Sequence, residues 1–233
     1  MSTWPPGDLA IVIGASGGIG SALVTRLASA VNFASVVGLS RNSIPALDLC
    51  DEQSIAACAR YVASRGVPRL IVDATGLLHA GALQPEKSWL QLDAAHMTSA
   101  FAVNAIGPAL LMKHFLPLLP RDGKSMFATL SAKVGSIEDN RLGGWYSYRA
   151  SKAALNQFVR TAAVELKRRL PMAVCVALHP GTVDTGLSKP FSKAGLVVQS
   201  AEVAAERLLA VMNGLTEADS GGFFDYRGER VPW

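Results

Sequence analysis

Leu9-Ala10-Ile11-Val12-Ile13-Gly14-Ala15-Ser16-Gly17-Gly18-Ile19-Gly20 is the stretch that decides how this chain folds. Its first five residues are an unbroken apolar run, the mark of a strand buried on both faces of a parallel sheet. The glycines follow at once, and residues 18–30 then read as a helix with Ile19, Leu23, Val24 and Leu27 on one face. Strand, glycine turn and helix together cradle a dinucleotide pyrophosphate. Gly14 lets the chain turn off the strand, Gly18 lets backbone N–H groups approach phosphate, and Gly20 permits close helix packing. The helix N-terminus then faces the anion. Two spacings fit at once, Gly14-x3-Gly18-x-Gly20 and Gly14-x2-Gly17-x2-Gly20, whereas G-x-G-x-x-G does not. A plain strand-to-helix turn explains many such loops. The strand before and the helix after favour dinucleotide binding here.

Working outward, buried strands and helices alternate. Strands are expected at residues 34–39, 70–72, 126–130, 173–178 and 222–224. Helices are expected at 51–64 (N-cap Asp51), 98–119, 146–169 and 200–212 (cap Ser200). This order predicts a doubly wound parallel sheet in one domain spanning residues 1–233. Half of the residues are hydrophobic and 17% are charged, enough for a large core. The net charge of +4 is scattered, and its densest cluster, Lys167-Arg168-Arg169, ends a helix where cations meet the negative dipole end. No nucleic-acid partner is expected from it. Cys50, Cys58 and Cys175 show neither paired nor metal-ligand spacing and read as reduced thiols of a cytoplasmic protein. No metal is expected. The opening residues do not read as a signal peptide. The apolar stretch 98–119 carries Asn104, Pro108, Lys113, His114 and Pro117, so it reads as a buried helix rather than a membrane span.

The chemistry is carried by three side chains. Tyr148 and Lys152 stand one helical turn apart and face the same way. A free phenol, with a pKa of about 10, is a poor base at neutral pH. A nearby ammonium is expected to lower that value. Ser131 follows an apolar strand, which puts its hydroxyl at the carboxyl edge of the sheet, where open α/β sheets bind ligands. Tyr-x3-Lys alone arises by chance on many helices; behind a phosphate loop, with Ser131, it points to nicotinamide-dependent carbonyl or alcohol chemistry. Pro108 lacks an N–H, so the carbonyl of Asn104, four residues earlier, loses its helical partner and is free to hold a water. A simple proline kink is the plainer reading. After the second strand the chain reads Leu39-Ser40-Arg41-Asn42. No acidic residue is there to accept from a ribose 2′-OH, and Arg41 suits a 2′-phosphate, so NADP(H) is expected over NAD(H); a surface residue that merely follows a strand is the alternative for Arg41. His179-Pro180-Gly181-Thr182-Val183-Asp184-Thr185 leaves a buried strand at the ligand edge and reads as a loop.

These residues resemble the short-chain dehydrogenase/reductase superfamily in its classical form, over nearly the whole chain. Asn140-Arg141-Leu142-Gly143-Gly144 followed by Trp145-Tyr146-Ser147-Tyr148-Arg149-Ala150-Ser151-Lys152 looks like the C-factor-like branch. The resemblance implies a Rossmann-type three-layer αβα sandwich and an NADP-dependent oxidoreductase. By it, Tyr148 is the general acid/base, Lys152 lowers its pKa and binds the nicotinamide ribose, Ser131 orients the carbonyl, and Asn104 holds the water of a proton relay through Lys152. Ser16 and Ile19 would meet the phosphates, Ser40 and Arg41 the adenosine ribose end, Asp48 and Leu49 the adenine. Ala74 and Gly76 would offer backbone contacts. Pro180, Gly181, Thr182, Val183 and Thr185 would line the nicotinamide side. The family's Asn-Asn-Ala-Gly appears here as Asp73-Ala74-Thr75-Gly76, which leaves Asp73 without that role. The gap from Ser131 to Tyr148 is a few residues longer than usual, and residues 138–144 are expected to loop beside the substrate pocket.

Opposite its core face the helix at 146–169 carries Ala150, Ala153, Ala154, Gln157, Thr161 and Val164, with no charge before Arg168, so it needs a second partner. A homodimer or homotetramer built on it and on the 98–119 helix is expected; coverage by another segment of the same chain is the alternative. A substrate lid is expected at about 186–200, with Leu187 and Phe191 as pocket walls. The leading reading is a carbonyl/alcohol oxidoreductase. A dinucleotide-sensing or signalling protein with little turnover is the alternative, and a methyltransferase leaves the Tyr148–Lys152 pair unexplained.

Overall fold

The computed structural model describes residues 4–5, 7–30, 32–81, 83–186 and 198–233. Among the described residues, eight strands and six α-helices follow one another as β1 (Asp8–Ile13), α1 (Gly18–Ala28), β2 (Phe33–Leu39), α2 (Glu52–Arg65), β3 (Pro68–Asp73), α3 (Ala94–Phe101), α4 (Gly107–Phe115), β4 (Ser125–Leu130), α5 (Tyr146–Arg169), β5 (Ala173–His179), β6 (Thr182–Val183), β7 (Val198–Gln199), α6 (Ala201–Gly214) and β8 (Phe223–Asp225). The main sheet runs β2-β1-β3-β4-β5-β8, with every neighbouring pair parallel.

Because side chains alternate along a strand, each buried strand feeds two cores. Ile11, Ile13, Ile71, Phe127 and Cys175 face the layer of α2, α4 and α5, where Ile55, Val62, Leu111, Phe115, Leu155 and Val159 meet them. Ala10, Val12, Leu70, Val72, Met126 and Val174 face α1 and α6, against Leu23, Leu27, Leu208 and Met212. The result is the expected doubly wound, three-layer αβα arrangement. Its strand order reverses between β1 and β3. The crevice where ligands bind in such sheets therefore opens at the carboxyl ends of those two strands, where Ala74 N donates to Ile13 O at 2.8 Å.

Most elements lie within two residues of their expected ends. The largest departure is the apolar stretch expected as one helix over 98–119. It is α3, then a π turn over Ala102–Ile106 in which Gly107 N donates to Ala102 O, then α4 and a final 3-10 turn. The irregularity lies where Pro108 cannot donate, and it is a widened turn rather than a simple kink. By length and composition the run Ala94–Leu118 is apolar enough to cross a membrane. In the fold it packs against α5 and supplies Leu111 and Phe115 to the core.

Candidate active site

The glycine turn is built as its sequence suggests. Gly14 has φ +83°, and a side chain at Gly20 would run into the Gly14 carbonyl, so only glycine lets α1 start this close to β1. Gly18 has a different reason to be glycine: an added Cβ would come 2.8 Å from Thr185 Cγ2, so it admits the loop after β5 rather than only a phosphate. Helices α2, α3 and α6 begin under side-chain caps from Asp51, Asp93 and Ser200. Helix α1 has no side-chain cap and no acidic residue in its first turn. Its opening N–H groups and positive dipole end are available to an anion.

Two adjoining cavities meet at that turn. One, of about 390 Å³, is lined by Ser16, Gly18, Ile19, Ala74, Gly76, Ser131, Tyr148, Lys152, Pro180 and Thr185, among others. The second, of about 280 Å³, shares Ser16, Gly17, Ala74, Thr75 and Gly76 with the first and extends to Gly14, Ser40, Arg41, Asp48 and Leu49. The cleft thus has a half lined by Ser131, Tyr148 and Lys152 and a half ending at the exposed Arg41. Gly20, Asn104, Gly181, Thr182 and Val183, expected at the cofactor or catalytic centre, are not among the residues that line these two cavities. Gly181, with φ +79°, lies against Gln199 and Tyr226, and Val183 is buried in the short β6–β7 pair.

Asn104 is fully buried and acts as a clamp. Its Oδ1 accepts from Leu77 N at 2.7 Å, while Nδ2 donates to Leu77 O at 2.7 Å and to Ser151 Oγ at 3.1 Å. Ser151 Oγ in turn donates to Tyr148 O at 2.9 Å. The side chain therefore ties the cleft wall after β3 to the helix carrying Tyr148.

Lys152 Nζ donates to Leu130 O at 2.8 Å, and burial pulls its pKa down to about 8, opposed by Asp73. Burial pushes the Tyr148 phenol up to about 12, the reverse of the expected lowering by Lys152. Desolvation of the phenolate is the cause, and Tyr148 stays protonated across the physiological range. Asp73 is a framework group: its carboxylate accepts from Thr75 Oγ1 at 2.6 Å and from Thr129 Oγ1 at 2.7 Å, and burial pushes its pKa up. Burial also pulls His179 down to about 4, leaving it neutral.

Ser131 Oγ lies 2.7 Å from Asn156 Oδ1. Residues 138–144 do form a loop: Arg149 donates to the carbonyls of Gly143, Gly144 and Val134, and Leu142 is exposed. Of the expected lid, residues 187–197, with Leu187 and Phe191, lie outside the described residues. Its flanks are described: Gly186 O lies 3.0 Å from His79 Nε2, and β7 pairs with β6.

The sequence reading missed Asn156, Ser151 and Glu86. Glu86 is 2% exposed, accepts from Ser147 N at 3.2 Å, and bonds Ser147 Oγ. Its backbone carbonyl accepts from Trp145 N at 2.5 Å. Burial raises the Glu86 pKa, but hydrogen bonds from Ser147 and from the backbone, with the His96 charge, together turn the net direction down. Asn156 lies one turn beyond Lys152 on the same helix, a spacing that signals its side; nothing in the sequence ties Glu86 to α5.

Comparison with known proteins places this geometry. The C-signal of Myxococcus xanthus is 38% identical over 142 residues, covering 61% of this chain and 81% of that protein. The 1-hydroxy-2-glutathionyl-2-methyl-3-butene dehydrogenase of Rhodococcus sp. (strain AD45) is 31% identical over 193 residues, covering 81% of this chain and 79% of that one. Among solved structures, the NADPH-bound carbonyl reductase from chicken fatty liver superposes with a TM-score of 0.86 at 26% identity, covering 100% of this chain and 96% of that chain. The family model for short chain dehydrogenases matches residues 8–195, and the chain belongs to that family.

Proposed function

We propose that the protein is an NADP(H)-dependent oxidoreductase that interconverts a carbonyl and an alcohol, with Tyr148 as the proton donor in the reducing direction. The observation that carries this reading is the convergence of Ser131, Tyr148 and Lys152 on a cavity that continues past the uncapped N-terminus of α1. The residues fit a nicotinamide dinucleotide: the cradle at Gly14 and Gly20 excludes side chains, α1 offers free N–H groups, and Arg41 supplies a cation at the far end. When bound, the reduced cofactor supplies a hydride. The chain's own part is to place the carbonyl oxygen between the Ser131 hydroxyl and the Tyr148 phenol and to deliver the phenolic proton to that oxygen. Lys152, fixed on Leu130 O, keeps a positive charge beside the site. The phenol's raised pKa keeps the proton loaded, which suits reduction.

The NADPH complex of the chicken carbonyl reductase supports the choice of cofactor, together with Arg41 and the absence of an acidic residue after β2. The three cysteines form no disulfide, in keeping with a cytoplasmic location. The test is a titration with NADPH and NADH followed by NADPH oxidation against aldehydes and ketones. Tight NADPH binding with turnover is expected. Tyr148→Phe should lower kcat by about 10²–10⁴-fold while leaving NADPH affinity unchanged. An active Tyr148→Phe variant would reject the assignment. A second reading, a dinucleotide-binding signalling protein with little turnover, is favoured by the similarity to C-signal. Binding without turnover of any panel member would support it.

A further inference from the structure

Ser131 and Asn156 are both 3% exposed and share one short hydrogen bond, with Ser131 Oγ 2.7 Å from Asn156 Oδ1. In that orientation Ser131 gives its only proton to Asn156. It can then accept from a substrate but cannot donate to one. The same orientation leaves Asn156 Nδ2 buried with no partner among the described residues. The two ends of an amide have the same shape, so the partners around it decide which way it faces. Turned over, Nδ2 donates to Ser131 Oγ and gains the partner it lacks. The carbonyl then takes the empty side, which is the less costly group to leave unpaired. The Ser131 proton is released at the same time, and Ser131 lines the cavity that also holds Tyr148.

We propose that Asn156 is a positioning residue that donates to Ser131 Oγ and thereby directs the Ser131 hydroxyl proton into the cavity, towards a substrate oxygen. This rests on the carbonyl-reductase reading for its chemistry, though not for the direction of the bond itself. No residue other than Ser131 bonds the Asn156 amide among the described residues, so the serine alone decides the outcome.

Two measurements test it. The first is independent of turnover: the Asn156 side-chain amide protons are identified by NMR as the pair lost in Asn156→Leu, then compared between the parent protein and Ser131→Ala. If Asn156 donates, one of the two protons is protected from exchange in the parent and loses that protection in Ser131→Ala. A pair equally unprotected in both proteins overturns the proposal, whatever the protein's activity.

The second uses kcat for any carbonyl the parent reduces. Asn156→Asp offers oxygens that capture the Ser131 proton. It should lower kcat at least tenfold with NADPH affinity unchanged, and should cost nothing further in a Ser131→Ala background. A merely structural role predicts losses that multiply in the double variant, and that result would overturn the proposal. If Asn156→Asp fails to fold, the shape-matched Asn156→Leu gives the same cycle, with a smaller single loss because Leu captures no proton. Failure of the parent to turn over any carbonyl would sink the reductase reading and leave the amide measurement to decide this one.

Discussion

At the scale of single residues, the site is set by burial more than by pairing. Tyr148 and Lys152 share a helix turn, yet burial raises the phenol to about 12 and lowers the ammonium to about 8. The two shifts have separate consequences. The phenol remains a proton donor well past pH 9, so its own titration does not limit reduction there. Lys152 is charged below about pH 8 and neutral above it. If its charge helps hold an anionic cofactor, kcat/KM for NADPH should fall as pH rises through about 8, because this ratio reports free-enzyme groups. Lys152→Arg, whose guanidinium does not titrate in this range, should remove that limb even if the rate is lower. A parent profile flat to pH 9.5 would show that the ammonium is not the titrating group. Ser131, Tyr148 and Lys152 were legible in the sequence because spacing and strand position reveal them. The direction of the Tyr148 shift was not, since desolvation depends on what the fold packs around the ring.

At the scale of elements, α5 shows why some of the site cannot be read from spacing. Its bounds, Tyr146–Arg169, were legible because the pattern is long and uninterrupted. Its anchoring was not. The residue before it, Trp145, has φ +52°, and the helix has no cap from its own N-cap side chain. The start of α5 is instead held by Glu86, sixty residues earlier in the chain, through Ser147. Such a contact is non-local and leaves no trace in a one-dimensional pattern. Glu86→Ala strips the acceptor from two buried donors, so it should lower stability by about 1–3 kcal/mol for each group left unpaired. Glu86→Gln keeps one acceptor and should recover much of this loss. Denaturant melts of the two variants check it, and equal midpoints for parent and Glu86→Ala would reject the anchoring role. The π turn before α4 belongs to the same scale: Pro108 signalled that the helix breaks, while the widened turn in which Asn104 bonds Leu77 and Ser151 left no mark in the spacing.

For the molecule as a whole, the alternation of buried strands and helices made the doubly wound sheet legible, whereas the layer that each side of a strand faces came only with the fold. Less legible was how the surface closes. The face of α5 opposite the sheet is not covered by the described residues: Phe158 and Val164 are 39% and 48% exposed. Beside it, a groove of about 490 Å³ between α4 and α5 is lined by Met112, Leu116, Phe158 and Leu166 and rimmed by Lys113, Arg121, Glu165 and Arg169. We propose that a second copy of the chain packs here. Sedimentation equilibrium should then give a multiple of the 24.5 kDa chain mass, and Phe158→Glu should shift the population towards 24.5 kDa. A parent protein that sediments as a single chain at micromolar concentration would reject the pairing.

The short β6–β7 pair has a wider consequence. Thr182 pairs with Val198, Val183 with Gln199, and Asp184 N donates to Gln199 O at 2.9 Å, so the two ends of the intervening chain are stitched together outside the main sheet. Closing a loop whose ends are already fixed depends only weakly on its length: doubling it costs roughly 0.6 kcal/mol. The stretch between Asp184 and Val198 is therefore a cassette. Residues added or removed there should cost little stability and leave the sheet and the glycine cradle as they are.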